Sequence, residues 1–265
     1  MPSTQESHRR SVIGRVSQIL SAFDRHQRSM PLTTLAQRAG LPVPTTYRLV
    51  TELIHYGLLE RDEEKDIRIG MRLWELSTRG NDTLSLRDTA LPYLEDLHEH
   101  LHLMVSLSVL NHGTVLYLER LAPEDFTVDR AHVAQRHPLH GASSGMVLLA
   151  YADPEFQEEF LSRPLPRYTE RTVTDPAILR RMLSEVRKKR HSIVAGIGTP
   201  GWTGMAVPVF GANNSMVAAL STVAPMGSED PATAIPALQT AAFGISMALG
   251  ATPRGRSHPS RRWTE

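Results

Sequence analysis

A chain of 265 residues with a net charge of +1 is long for one domain and comfortable for two, each able to bury a core. Lys and Arg outnumber Asp and Glu by 12 to 9 in residues 1–80 and by 4 to 1 in residues 252–265, whereas residues 81–251 carry 13 against 18; a modestly basic part beside an acidic larger one fits a DNA module joined to something that must not bind DNA. The lack of cysteine excludes disulfides, thiolate metal sites, thiol redox sensing and cysteine nucleophiles, and no apolar run approaches the roughly 20 residues needed to cross a bilayer, so a cytoplasmic protein without membrane partners is expected.

Val12, Val16, Ile19, Leu20 and Phe23 recur at helical spacing and predict a helix of about three turns. The stretch Leu32 to Ile69 then reads as a winged helix-turn-helix. The first helix of such a unit needs a small residue where it crosses the second, and the turn needs a residue that tolerates positive φ; Ala36 and Gly40 supply both, with Leu41 plugging the corner. Pro42 follows, and Pro44 suits the first turn of a new helix. On that helix Leu49, Val50, Leu53 and Ile54 share one face, leaving Thr45, Arg48, Thr51, Glu52 and His55 on or near the other, and Gly57 stops it. Leu58 and Leu59, the charged run Glu60 to Asp66, and Ile67 to Ile69 predict two short strands around a polar turn, a wing. A small three-helix domain can also bind protein, and an arginine on a polar helix face is commonly just solvated. Helix, turn, helix and wing in order favour double-stranded DNA, with Arg48 able to reach a phosphate or the paired acceptors of a guanine. The expected DNA contacts are Thr33, Thr34, Pro44, Thr45, Tyr47, Arg48 and Thr51.

Met71 to Leu76 predicts a linker helix ending near Thr78 to Gly80, which completes a first domain over residues 1–80. A second, over residues 81–251, opens with a helix from Leu86 to about Leu101 that carries Pro92 near its start. Met104 to Leu110 and Thr114 to Glu119 flank Asn-His-Gly as a hairpin. Helices are expected from Ser143 to Tyr151, from Ala177 to Lys189 behind Asp175 and Pro176, and from Ala237 to Leu249; strands are expected at Ser192 to Ala195, Gly204 to Phe210 and Met216 to Val223. This order predicts an α+β fold with a mainly antiparallel sheet and helices packed on it. Residues 252–265 are too polar to bury a core and are expected to be a disordered basic tail.

With these segments placed, the chain resembles the IclR family of bacterial transcriptional regulators. The resemblance rests on Leu32 to Leu59, Gly70-Met-Arg-Leu, Gly113-Thr-Val-Leu-Tyr-Leu-Glu-Arg, Pro138-Leu-His-Gly-Ala-Ser-Ser-Gly, Ala206-Val-Pro-Val-Phe and Ile245-Ser-Met-Ala-Leu-Gly, in the family's order and spacing. It implies a linker helix that helps form a dimer or dimer of dimers, and a GAF-like (profilin-like) domain that binds a small-molecule effector and alters operator binding. Mapped onto this chain, the effector pocket would comprise Ser143, Ser144, Met146, Val194, Trp202, Gly204, Ser221 and Val223. The chain also departs from the family. Val43 and Pro44 replace a polar or basic residue and a serine; Met146 stands where a lysine is frequent, Val194 to Gly198 where acidic residues are frequent, and Gly204 where a cysteine is frequent. Loss of an acid and a thiol beside an indole implies a roomier, less polar cavity suited to an aromatic acid, the alternative being a short oxo-acid. Ordinary core is the equal alternative for Trp202.

Gly141-Ala-Ser143-Ser-Gly145 matches the nucleophile elbow of an esterase. That motif must follow a buried parallel strand, and Gln135-Arg-His-Pro-Leu-His is polar with a proline in it, so no enzyme is expected. His98 and His102 could share one helical face and hold a metal, with Glu95, Glu99 or His140 as further ligands, but a solvated histidine face is the commoner arrangement and no metal is expected. Neither a Walker loop nor a dinucleotide fingerprint is present, so no cofactor is expected. A domain that makes only protein contacts remains a third alternative.

Overall fold

The computed structural model describes residues 11–24, 27–79, 82–124, 136–228 and 230–252. The chain divides into two compact units, the second beginning at Asp82. The tail expected to be disordered lies, from residue 253 on, outside the described residues.

In the first unit, α1 (Val12–Ser21) starts at Ser11, whose Oγ accepts the Gly14 N–H at 2.9 Å. β1 (Ser29–Met30), α2 (Leu32–Ala39), α3 (Val43–His55), β2 (Leu59–Arg61), β3 (Ile67–Ile69) and α4 (Met71–Thr78) follow. The corner between α2 and α3 closes as the sequence requires. Gly40 has φ +63°, and the N–H groups of Leu41 and Gly40 donate to Ala36 and Gln37 carbonyls at 3.0 and 3.1 Å, which satisfies the end of α2 and turns the chain. Ile19, Met30, Leu35, Leu49, Val50, Leu53, Leu59 and Ile67 form the core. The wing strands pair Leu59 with Ile69 and Arg61 with Ile67, and β1, too short to be read from the sequence, adds to β3 on the other side. At the wing turn the Asp62 carboxylate accepts from the Asp66 N–H at 2.8 Å and from the Ser29 hydroxyl. α4 buries none of its side chains: Met71, Trp74 and Leu76 are 65, 63 and 45 % exposed.

The second unit comprises α5 (Asp82–Leu101), β4 (Met104–Asn111), β5 (Thr114–Leu121), β6 (Arg136–Pro138), a 3-10 turn (Leu139–Gly141), α6 (Ser143–Ala150), α7 (Pro154–Ser162), α8 (Pro176–Lys189), β7 (Ser192–Ala195), β8 (Trp202–Phe210), β9 (Met216–Pro225) and α9 (Pro231–Ala248). Its six-stranded sheet has the order β6-β5-β4-β9-β8-β7, every neighbouring pair antiparallel. The α+β, mainly antiparallel expectation is met. Alternation along the strands builds two cores. Leu107, Val109, Met205, Val207 and Leu220 meet α5 and α9 on one face, while Val115, Tyr117, Val194, Ala206 and Ala219 meet α6 and α8 on the other.

The β4–β5 ladder carries an irregularity with consequences for the site. Ser108 pairs with Tyr117 but Leu107 with Glu119, so Leu118 is an extra residue, a bulge. Pairing resumes as Ser106 with Arg120, which puts Tyr117 and Arg120 on the same face although Arg120 is three positions on, an odd step.

Two helices start earlier than expected and enclose a proline each. α5 begins at Asp82, whose carboxylate in the first turn suits the positive end of the helix dipole, leaving Pro92 in its middle. α9 begins at Pro231 behind the N-cap Asp230, which accepts from Ala232 N at 3.1 Å and Thr233 Oγ1 at 2.6 Å, so Pro236 is enclosed too. Each removes one helix hydrogen bond, a loss that packing against the sheet offsets. α7 and β6 were not foreseen.

Candidate functional site

The surface that α3 presents follows from its helical period. Thr46, Leu49, Val50 and Leu53 are buried against α1, α2 and the wing, so Pro44, Tyr47, Arg48 and Thr51 are carried on the exposed side, with Thr45 half-buried at its edge. On α2, Thr33 is exposed and Thr34 half-buried. Of the expected DNA contacts, then, Thr33, Pro44, Tyr47, Arg48 and Thr51 are accessible to a partner. Arg48 makes no ion pair with a described residue. Thr51 Oγ1 donates to the Tyr47 carbonyl at 2.9 Å. The wing adds cations not singled out beforehand: Arg61, which donates to the Lys65 carbonyl at 2.8 Å, and Arg68, paired with Glu60 at 2.7 Å.

In the second unit the sheet register assembles a cavity. Val194 on β7, Gly204 on β8, Val223 on β9 and Met104 on β4 are successive partners across four strands, and Ser221 and Arg120 belong to the neighbouring row. Trp202, two residues before Gly204, lies on the same face. Gly141, Ala142 and Ser143, where the 3-10 turn passes into α6, stand over this floor with Ile197, Gly198 and Thr199, and Tyr117 and His137 close one side. The volume of this space is about 80 Å³.

Six of the eight expected effector residues therefore line one space: Ser143, Val194, Trp202, Gly204, Ser221 and Val223. Ser144 and Met146 do not. Each residue of a helix is rotated about 100° from the last, so only the first residue of α6 points at the floor. Ser144 turns to the Tyr117 hydroxyl, 3.3 Å away, and Met146 is 1 % exposed inside the core beneath α6. The space expected at Gly204 is also smaller than its missing side chain implies, because a Cβ there would lie 2.7 Å from Ser143 Oγ.

Arg120, Tyr117, His137 and Met104 were missed, and they change the chemistry. Among the described residues no Asp or Glu lines the cavity, and Arg120 brings a guanidinium to its wall. The Arg120 group lies 4.0 Å above the Tyr117 ring, which the His137 ring meets edge-on at 5.3 Å. Burial lowers the pKa of Arg120, while Tyr117 opposes the shift; a guanidinium starts high enough to stay charged at neutral pH. Neither the Ser143 nor the Ser221 hydroxyl has a hydrogen-bond partner among the described residues, and both lie at the cavity.

Other candidates carry less. A larger groove of about 820 Å³ opens at the far end of β8, past Tyr151, Arg187, Arg190 and Phe243, but it contains no expected effector residue, and its arginines serve the Ala150 carbonyl at 3.0 Å and the Phe210 ring at 5.0 Å. Ser143 follows β6, an antiparallel edge strand, rather than the buried parallel strand a nucleophile elbow requires, and His140 Nε2 is held 2.9 Å from the Pro166 carbonyl. His98 Nδ1 lies 2.7 Å from the Leu103 carbonyl, and no cluster of three metal-ligating side chains occurs among the described residues. Among them no helix is long and apolar enough to cross a membrane.

Comparison with known proteins agrees with both halves of this picture. Residues 12–63 match the model of the IclR helix-turn-helix domain, and residues 80–247 match that of the bacterial transcriptional regulator IclR C-terminal domain. The structure is similar to that of an IclR homolog complexed with 4-hydroxybenzoate from Microbacterium hydrocarbonoxydans, with a TM-score of 0.83 and 40 % identity over 91 % of this chain and 100 % of that one. The Pca operon regulatory protein of Acinetobacter baylyi is 29 % identical over 213 residues, covering 78 % of this chain and 76 % of its own length. The HTH-type transcriptional regulator RhmR of Escherichia coli is 28 % identical over 191 residues, covering 72 and 74 %. With a helix-turn-helix in one unit and a cavity in the antiparallel-sheet unit that the second family model matches, this chain belongs to the IclR family of bacterial transcriptional regulators.

Proposed function

We propose that this regulator controls a catabolic operon, binding its operator as a dimer or dimer of dimers and responding to a small aromatic acid in the cavity beside Trp202. The observation that carries the effector class is the lining: Arg120, Ser143 and Ser221 offer a cation and two hydroxyls, Trp202, Val194 and Val223 offer an apolar body, and the described lining residues include no carboxylate to repel an acid. In this reading the carboxylate meets Arg120 and the hydroxyls, and the ring lies against Trp202. The complex of the Microbacterium homolog with 4-hydroxybenzoate supports the same ligand class.

The cavity of about 80 Å³ is well below the roughly 300–1,000 Å³ of drug-sized ligand sites. An aromatic acid would therefore move part of the wall, and half-buried Trp202 is the side chain we assign to that movement. That demand gives the ligand a preference between two arrangements, without which it cannot shift an equilibrium. Association runs through α4, whose exposed Met71, Trp74 and Leu76 supply the apolar surface for a second copy.

Thermal unfolding with 4-hydroxybenzoate and with pyruvate tests the effector class. At 100 times its dissociation constant the aromatic acid should stabilise the protein by about 2.7 kcal/mol. Stabilisation by pyruvate alone would assign the cavity to a short oxo-acid.

A further inference from the structure

We infer that α3 selects its operator in part by packing a line of apolar groups against thymine C5-methyl groups in the major groove. The inference rests on the DNA-binding reading above and gives it a chemical preference. Val43, Tyr47 and Thr51 stand four residues apart along one side of α3, so they form a line about 12 Å long, the reach of roughly three base-pair steps. Val43 is 44 % and Tyr47 57 % exposed, although both carry substantial apolar surface. Thr51 has its hydroxyl engaged by the Tyr47 carbonyl at 2.9 Å, so it brings a methyl to the line more readily than a free donor.

The N-terminal part of a reading helix is the part that reaches base edges. Here that part begins Val43-Pro44, and Arg48 is the only Lys or Arg in α3. Hydrogen-bonded base recognition by this helix is accordingly sparse. Thymine alone offers an apolar group in the major groove. A cytosine amino group or a guanine carbonyl set against Val43 would lose water without gaining a hydrogen bond. The line therefore gains from thymine and penalises the other bases, while Arg48 remains for a guanine or a phosphate.

The test starts with selection of a duplex from a random pool by the full-length protein at physiological salt. Each thymine of the selected half-site is then replaced by deoxyuridine, which removes the methyl and leaves the pairing edge intact. At one thymine or more per half-site the replacement should weaken binding about fourfold, the factor that burying one methyl-sized group is worth. That loss should vanish in Val43→Ala or Tyr47→Ala and persist in Arg48→Ala. Enrichment of a half-site without thymine, tolerance of deoxyuridine at every position, or an undiminished loss in both Val43→Ala and Tyr47→Ala would overturn the inference and leave operator binding standing. Failure to enrich any sequence would overturn both.

Discussion

Gly204→Ala separates the effector role of Ser143 from its structural role. The new Cβ would lie 2.7 Å from Ser143 Oγ, 3.2 Å from Ser143 Cβ and 3.7 Å from Val194 Cγ2. Only the first contact is prohibitive, and it is made by the end of a side chain that can rotate. Moving that hydroxyl off its preferred position costs about 0.5–1.5 kcal/mol. Replacing glycine inside a strand by alanine returns roughly 0.5–1 kcal/mol through the lower entropy of the unfolded chain. The two nearly cancel, so the unliganded Tm should move by no more than about 2–4 °C. The effector is affected differently, because the methyl displaces the hydroxyl from its head group. A hydrogen bond to an ionised acceptor is worth about 1.5 kcal/mol or more, so affinity for 4-hydroxybenzoate should fall at least about tenfold. Differential scanning fluorimetry reads the first quantity and isothermal titration calorimetry the second. Ser143→Ala should weaken binding similarly, and the double variant should be no worse than either single one, since both remove the same contact. Unchanged affinity in a variant of unchanged Tm would refute the role given to Ser143.

Arg120→Gln should lower affinity for 4-hydroxybenzoate about 10- to 100-fold, the worth of a charge-assisted hydrogen bond, while 4-hydroxybenzamide, which lacks the charge, should lose little in the same titration. Equal losses for both would make Arg120 a packing residue. Trp74→Asp places a charge on the exposed face of α4 and should shift the sedimentation profile towards a smaller species; an unaltered profile would locate association elsewhere. The Ser29 hydroxyl holds the Asp62 carboxyl below its ordinary value, helped by the Asp66 and Glu64 N–H groups. A carboxylate depressed on folding contributes stability that is present above its unfolded value, about 3.9, and lost as pH falls through the folded pKa. Ser29→Ala should thus raise the Asp62 midpoint in an NMR titration, and an unmoved midpoint would remove the hydroxyl as its cause.

Local rules carried most of the first unit. Gly40 and the two prolines beside it fix the corner through backbone geometry alone, and the period of Leu49, Val50 and Leu53 fixes which side of α3 is buried. In the second unit the family resemblance named Gly204, Ser221 and Val223 together, and the regular pairing of β8 with β9 does bring them to one cavity. The two helices expected from Leu86 and from Ala237 begin earlier, at Asp82 and Pro231, since packing on the sheet compensates for the hydrogen bonds that Pro92 and Pro236 remove. Ser144 and Met146 were placed with Ser143 by the family resemblance, which does not say which way each side chain of a helix turns; a rotation of about 100° per residue sends them elsewhere. Arg120 was hidden for a different reason. Nothing in Tyr-Leu-Glu-Arg announces which of its residues is the extra one, and strict alternation from Tyr117 would have sent the arginine to the other side.

That extra residue decides which charged side chain of β5 stands at the cavity wall. If β5 paired regularly beyond Tyr117, Glu119 instead of Arg120 would stand opposite Ser106, and the wall would carry a carboxylate where it now carries a guanidinium. A relative shortened by one residue at Leu118 would keep the same tyrosine and arginine facing inward. Ligand preference in this fold can therefore invert with no substitution at any lining position, by a one-residue slip in a ladder. Alignments that place their gap a residue away from Leu118 will assign the wrong side chain to the pocket, and scans by point substitution will not see the change at all.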